Sequence, residues 1–293
     1  MEKWVNIANK FFKIEFENYK KTLSDGRRPT SVVFSDIETD VKRRDLTINA
    51  LFYDIETGEI VDLVGGIDDI KNGLVRTVGH ASDRFGEDKL RILRAIRFAN
   101  RYGSNLDNNI VNSLKKDSSL EGISNERIRD EFLKSVKSAK SVINLIVMLN
   151  NFGLLEQIFK GLKISPFLPN EHDYIVLLAS LLRNNDIEVL KKTLNKLTYS
   201  VDEVKSICFL LELRGLSPES APALKKAQNN IKITDEQMRK FSKLSGMSSD
   251  MLEKFIKFNL TVSGQEVMDE FNLSGKELGE KIRQIEISNF NKL

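Results

Sequence analysis

Near residue 82 the period of this sequence changes, and that change bounds the fold. Before it, apolar and polar residues alternate over short runs; after it, apolar residues recur every three or four positions to the end. Alternation lines the two faces of a strand, and a 3.6-residue period lines one face of a helix. Phe12, Ile14 and Phe16 alternate with Lys13, Glu15 and Glu17, which predicts a half-buried strand over 12–16. A second strand is expected over 31–34. Ser35 with Glu38 forms a capping box, so a helix is expected from there to Asn49. Residues 51–54 and 59–63 flank Glu56-Thr57-Gly58 as a hairpin, and 74–78 reads as a further strand. Later, Ser124 opens a helix, and Ser263 with Glu266 and Ser274 with Glu277 read as capping boxes. The expected architecture is an α+β head over 1–80, followed by an all-α, elongated remainder divided into 81–155 and 156–293.

Where the period changes, residues 84–101 carry a second signal. At about 100° per residue, Ile92, Ala95, Ile96 and Ala99 share one face of a helix, opposite Glu87, Arg91, Arg94, Arg97 and Arg101. Such a stripe is also what a solvated face with i,i+4 pairs looks like. Asp88 and Arg91, three apart at the helix start, offer an acceptor beside a forked donor. Cytosine and adenine each present an amino donor next to a ring-nitrogen acceptor, and uracil and guanine present the opposite order. One carboxylate with one guanidinium would therefore accept C and A and reject U and G.

Bulk properties neither announce nor exclude a nucleic-acid ligand. Forty-five basic residues against 42 acidic ones leave a net charge of +3, so any such site must be local. Cys208 is the only cysteine, which excludes an internal disulfide and a cysteine zinc cluster; its apolar neighbours Ile207 and Phe209 mark it as a buried small hydrophobe. The apolar run over 142–159 is broken by asparagines, Gly153, Glu156 and Gln157, so it predicts core helices and not a membrane span. No signal peptide is recognisable at the N-terminus, and the expected compartment is the cytoplasm. His172-Asp173 suggests a metal phosphohydrolase, but only His80 accompanies His172, and a helix start beside Glu171 is the expected role.

Three further segments bear on chemistry. Arg44, Asp45 and Asn49 offer a fork, an acceptor and an amide within two turns, suited either to a triphosphate and ribose or to a local ion pair at a helix end. Gly65-Gly66 lies between strand and helix, where a sharp turn or a hinge is expected. Asp25-Gly26-Arg27-Arg28-Pro29 reads as a polar loop, either solvated or near phosphates.

Taken in order, these motifs resemble one family: Asp25-Gly26-Arg27-Arg28-Pro29, then Arg43 to Ala50, then Gly65-Gly66, then Glu87-Asp88 with Arg91, Arg94 and Arg97, then Ser124 with Glu126-Arg127-Ile128. The chain is similar to class II tRNA nucleotidyltransferases, the CCA-adding enzyme and bacterial poly(A) polymerase family. The likeness is strong over 12–135 and returns at 260–268 and 274–279. It implies that the head is an incomplete nucleotidyltransferase palm, followed by neck, body and tail. It implies that Arg44 contacts phosphates and that Asp45 and Asn49 shape a ribose pocket. Asp88 and Arg91 would pair with the base edge of CTP or ATP, with Glu87, Arg94 and Arg97 supporting that site. Asp25, Arg27 and Arg28 would form a flexible loop, and Gly65 and Gly66 a hinge, for the switch from C to A. The helical remainder would hold tRNA through phosphate contacts.

The family's catalytic carboxylates belong to a glycine pair, an Arg-Asp and an Asp-x-Asp upstream of the strand over 12–16, where two magnesium ions would bind. The residues before that strand contain no aspartate, and no Asp-x-Asp occurs anywhere in the sequence. No metal ligand is therefore expected in this chain, Glu15 being at most an accessory carboxylate. Three readings follow. The chain adds C and A to tRNA with a second polypeptide supplying the carboxylates; or it binds tRNA and nucleotides without catalysis; or it is a poly(A) polymerase relative.

Overall fold

The computed structural model describes residues 36–167 and 169–293, together with the backbone of 21–23 and 31–33. The expected strand over 12–16, with Glu15, lies outside the described residues, as do Asp25, Arg27, Arg28 and Ser35. Contacts divide the chain into two compact units, Met1–Leu154 and Leu155–Leu293.

In the first unit, β1 (Lys21–Leu23) pairs antiparallel with β2 (Ser31–Val33). Helix α1 (Ile37–Val41) starts at Asp36, whose carboxylate accepts from Thr39 N at 2.7 Å. It is shorter than the sequence suggests, because the chain after Val41 is drawn onto residues 76–78. Leu46 bridges Thr77, Thr47 N donates to Arg76 O at 2.9 Å, and Val78 N donates to Asp45 O at 3.2 Å. Backbone groups that a continued helix would pair internally are satisfied there instead. Only a 3₁₀ turn, Thr47–Asn49, remains of the expected second half. The hairpin forms as expected, β3 (Leu51–Tyr53) with β4 (Ile60–Asp62).

Asp62 then caps α2 (Gly66–Lys71). Its Oδ1 accepts from the N–H groups of Val64, Gly65 and Gly66, and its Oδ2 from Ile67 N. Burial pushes this carboxyl's pKa up, but the four N–H donors outweigh that and hold it below its ordinary value. Gly65 turns the chain at φ 79°. Gly66 packs so closely that a Cβ there would lie 2.3 Å from Thr47 O. The glycine pair is thus required for a left-handed turn and for close backbone approach.

Strand β5 (Leu74–Val75) pairs parallel with β6 (Asn105–Leu106), a two-residue strand beyond the point where strand signals fade. Between them lie α3 (Ala81–Glu87) and α4 (Leu90–Tyr102). Helix α4 buries Ile92, Ala95, Ile96 and Ala99, the face expected from the sequence, and ends at Gly103 in the left-handed region. It packs against α6 (Asn125–Ser138) and α7 (Val142–Asn151); α5 (Asn108–Lys116) packs against α3. Ser124 caps α6 as expected.

A short helix, α8 (Leu154–Ile158), begins after Gly153 and spans the division between the units. The second unit centres on α9 (Tyr174–Leu181), buried from Ile175 to Leu181 and flanked by α11 (Val201–Leu213) and α13 (Asp235–Ser245). Asp173 caps α9, the helix-start role expected for this segment. Cys208 is buried, and burial pushes its thiol up to about 11. Further on, α10 (Ile187–Lys196) packs on α11, and α14 (Ser249–Lys257) on α13. The final helices α15 (Gly264–Phe271) and α16 (Gly275–Asn291) pack together, and α16 also packs on α12 (Ala221–Gln228). Ser263 accepts from Glu266 N, but Ser274 makes no side-chain cap, unlike the expected box with Glu277. Among the described residues no helix is long and apolar enough to cross a membrane.

Gly66→Ala should lower stability by more than the roughly 1–3 kcal/mol usual for overpacking, because the clash is with backbone. Gly65→Ala should cost about 1–2 kcal/mol through its positive φ alone. Urea midpoints would check the order; an equal or smaller loss for Gly66→Ala would refute the close-approach assignment.

Candidate functional site

The charged stripe is not one continuous helix face. Asp88 leaves the helix at φ −152°, ψ 105°, and its Oδ1 accepts from Leu90 N at 3.1 Å, so it caps the start of α4. A short acidic residue competes with the backbone for hydrogen bonds, which explains the break. Its Oδ2 accepts from Arg127 Nη2 at 2.7 Å, from the first turn of α6. Arg127 lies in the Ser124 motif, but its pairing with Asp88, 39 residues away, leaves no trace in local spacing.

Three other arginines tie α3 and α4 to residues 42–45. Arg84 donates to Lys42 O at 2.6 Å and pairs with Glu87 at 2.6 Å. Arg91 pairs with Glu87 as well and donates to Arg84 O and Arg43 O, each at 3.1 Å. Arg94 Nε donates to Asp45 Oδ2 at 2.5 Å, while Asp45 Oδ1 accepts from Leu46 N. Burial opposes the charge on Arg94, but Asp45, then Glu131 and Asp88, outweigh it and hold its pKa above the ordinary value. Arg97 pairs at 2.6 Å with Glu131 of α6; their side chains are only 11% and 4% exposed. Arg101 is exposed and lies over the Tyr102 ring.

Arg44 sits over the Phe52 ring, donates twice to Asp40 and once to Asn49 O, and is 39% exposed. Since a guanidinium has five N–H donors, two remain. Beside it, Asn49 Nδ2 is buried without a hydrogen-bond partner among the described residues. Asp69 holds Thr47 Oγ1 at 2.5 Å and Arg76 at 2.9 Å, locking the 3₁₀ turn to α2.

The structure therefore brings residues 42–49, 84–97 and 127 into one bonded network. Within it, Arg44, Arg94, Asp88 and Asn49 keep unused hydrogen-bonding capacity, while Arg97 is spent on Glu131. Sequence reading did not assign Asp40, Arg84, Arg127 or Glu131. The i,i+4 spacing of Asp40 and Arg44 and the i,i+3 spacing of Arg84 and Glu87 were the available signals. Among the described residues no three His, Cys, Asp or Glu side chains are placed to hold a metal ion. Asp45 and Asp88 are each engaged by a guanidinium and a backbone N–H, so these carboxylates do not fit a magnesium site.

Comparison with known proteins defines first a class. Residues 3–76 match the family described as Poly A polymerase head domain, and residues 105–165 match the one described as probable RNA and SrmB-binding site of polymerase A. A CCA-adding enzyme of Ligilactobacillus salivarius is 46% identical over 117 residues, covering 39% of this chain and 29% of that protein. One from Streptococcus agalactiae is 30% identical over 286 residues, covering 90% of this chain and 71% of that protein. The chain belongs to the CCA-adding enzyme family. In fold it resembles the Bacillus stearothermophilus CCA-adding enzyme in complex with CTP (TM-score 0.66, 24% identity, 89% of this chain and 71% of that one). It also resembles the Thermotoga maritima enzyme complexed with tRNA (TM-score 0.64, 20% identity, 99% and 80%).

Arg97→Met should destabilise the chain by about 3–5 kcal/mol, because it strands the buried Glu131 carboxylate. Adding Glu131→Leu should recover most of that loss. If chemical denaturation finds the double variant no more stable than Arg97→Met, the pair is not the source of the effect.

Proposed function

We propose that this chain binds CTP and ATP in the network around Asp88 and serves the addition of C and A to the 3′ end of tRNA. The observation that carries this is the bonding of three distant motifs into one site: Arg94 to Asp45, Arg91 to Arg43 O, and Arg127 to Asp88. Family membership supports it, as do the CTP and tRNA complexes of proteins with the same fold. A cytoplasmic location accords with this reading.

In this reading each residue has a definite task. Asp88 accepts from the exocyclic amino group of cytosine or adenine, and Arg91 donates to the neighbouring ring nitrogen. Arg91 uses three of its five N–H donors, on Glu87, Arg84 O and Arg43 O, and turns a remaining one to the base. Arg44 and Arg94 point their remaining donors at the triphosphate, and Asn49 Nδ2 meets a ribose hydroxyl. Gly65 and Gly66 flank the turn that lets the head adjust between C and A. The loop with Asp25, Arg27 and Arg28 assists that switch. In the reaction the RNA 3′-hydroxyl attacks the α-phosphorus and pyrophosphate leaves. The magnesium ions that neutralise the developing charge require carboxylates that this chain's described residues do not supply. We infer that an Asp-x-Asp segment outside the described residues, such as one on a second polypeptide, supplies those carboxylates.

Purified chain with magnesium should therefore add little or no CMP or AMP to tRNA lacking its 3′ end, and a fragment carrying the family's Asp-x-Asp segment should restore addition. Robust addition by the chain alone would overturn the assignment. Binding without restored addition would favour the non-catalytic reading. Asp88→Ala should reduce discrimination between CTP and UTP by about ten- to a hundredfold, the scale of a lost bidentate base contact. Arg91→Ala should mainly weaken CTP and ATP binding. Unchanged nucleotide affinity and selectivity in both variants would remove base reading from this helix.

A further inference from the structure

Arg84 has no task in the reading above, yet it is bonded toward both ends of the proposed nucleotide site. Its Nη1 donates to Lys42 O at 2.6 Å, two residues before Arg44. Lys42 is the C-cap of α1, where a helix leaves carbonyls without internal partners. Arg84's own carbonyl accepts from Asp88 N at 3.4 Å and from Arg91 Nη1 at 3.1 Å. The residue proposed to contact phosphates therefore follows closely on one partner of Arg84, and the two proposed to read the base are its other partners.

The side chain is placed to brace and not to bind. It is only 18% exposed, and its two terminal nitrogens are engaged by Lys42 O and by Glu87 at 2.6 Å. Glu87 pairs with Arg91 through its other oxygen, so Arg84 steadies the carboxylate that Arg91 shares. Arg84 Nε is buried without a hydrogen-bond partner among the described residues. A buried donor left unmet is costly, so this bonding is not what stability alone would select. A lysine would not reproduce it, because one ammonium on a flexible stem lacks the rigid fork that meets two acceptors together. The chain also leaves helical geometry at Asp88, and Arg84 supplies bonds across that break.

We propose that Arg84 is a positioning residue that sets the separation between the base-reading pair, Asp88 and Arg91, and the triphosphate arginine, Arg44. The inference rests on the nucleotide-binding reading above, and it adds a source of preference for a whole nucleoside triphosphate over its parts. A ligand that engages two sites at once gains over either contact alone only when their spacing matches it. A misplacement of about 1 Å in a positioned group can cost roughly a hundredfold. Releasing Lys42 O from Arg84 lets the segment that carries Arg44 shift against Asp88, while each site keeps its own donors and acceptors. CTP spans both sites and is sensitive to that shift. CMP lacks the β- and γ-phosphates and is not.

Affinities of the full chain for CTP and for CMP should be measured by NMR titration, for the unaltered chain, Arg84→Met and Arg84→Lys. Arg84→Met removes the guanidinium and keeps an apolar stem. It should weaken CTP by about ten- to a hundredfold and leave CMP within about twofold, so that the preference for CTP over CMP collapses. Arg84→Lys should fall between Arg84→Met and the unaltered chain. Both variants should keep a cooperative thermal transition by circular dichroism, and if Arg84→Met does not fold, Arg84→Lys carries the same comparison. Equal losses for CTP and CMP, or unchanged CTP affinity in a folded variant, would overturn this inference and leave the nucleotide site standing. So would an unaltered chain that binds CTP and has no affinity for CMP, because the base site would then not act by itself. Failure of the unaltered chain to bind CTP would overturn both this inference and the proposed function.

Discussion

The head of this chain is held to its helices by carboxylates that cannot remain buried alone. Asp45 and Glu131 are nearly inaccessible, and each is met by the Nε of one arginine on α4, at 2.5 and 2.6 Å. Taking a carboxylate out of water costs several kcal/mol, and only a well-placed partner with further hydrogen bonds offsets that cost. Asp45 has both, with Arg94 on one oxygen and Leu46 N on the other. The same aspartate's carbonyl accepts from Val78 N. One residue thereby fixes strand-like backbone pairing and the position of α4 together. Arg94 and Arg97 lie three apart on that helix, so the head-side pin and the α6-side pin share one rigid element.

This arrangement separates the arginines by what they have left to give. Five N–H donors make a guanidinium able to brace structure and bind ligand together. Arg94 donates one hydrogen bond and Arg44 three, and both stay partly exposed. Arg97 is too deeply covered to reach a ligand without uncovering Glu131. In the proposed reading the triphosphate therefore falls to Arg44 and Arg94, and Arg97 acts through the shape it enforces.

The apolar half of the stripe was legible because burial follows a helical period wherever a helix packs on one side, and Ile92, Ala95, Ile96 and Ala99 are all buried. The hairpin and the caps at Ser124 and Asp173 were legible because turn and cap chemistry is local. The early end of α1 was not, since it depends on pairing with residues 76–78. Nor was the break at Asp88, because the stripe's period runs through it unchanged. The partners of Asp45, Asp88 and Glu131 lie 34 to 49 residues away, and spacing carries no record of contacts made across the fold. Gly65-Gly66 was read as a turn or hinge; its packing against Thr47 O adds a steric reason for glycine that only the folded chain reveals.

The double engagement of Asp88 bears on how a base would be chosen. Leu90 N orients one carboxylate oxygen and Arg127 the other, so the group is fixed in rotamer before a ligand arrives. Each oxygen still has a lone pair for an amino group. A uracil or guanine in the same register would set its carbonyl oxygen against that carboxylate and its ring N–H against the donors of Arg91. Buried, unsatisfied polar groups discriminate more sharply than added contacts attract. A carboxylate free to rotate could turn away and accept the wrong base. In the proposed reading, fixing it through a helix cap and a guanidinium from α6 would turn a single acidic residue into a rejecting element, and the break in the helix at Asp88 would then matter more than the stripe that surrounds it.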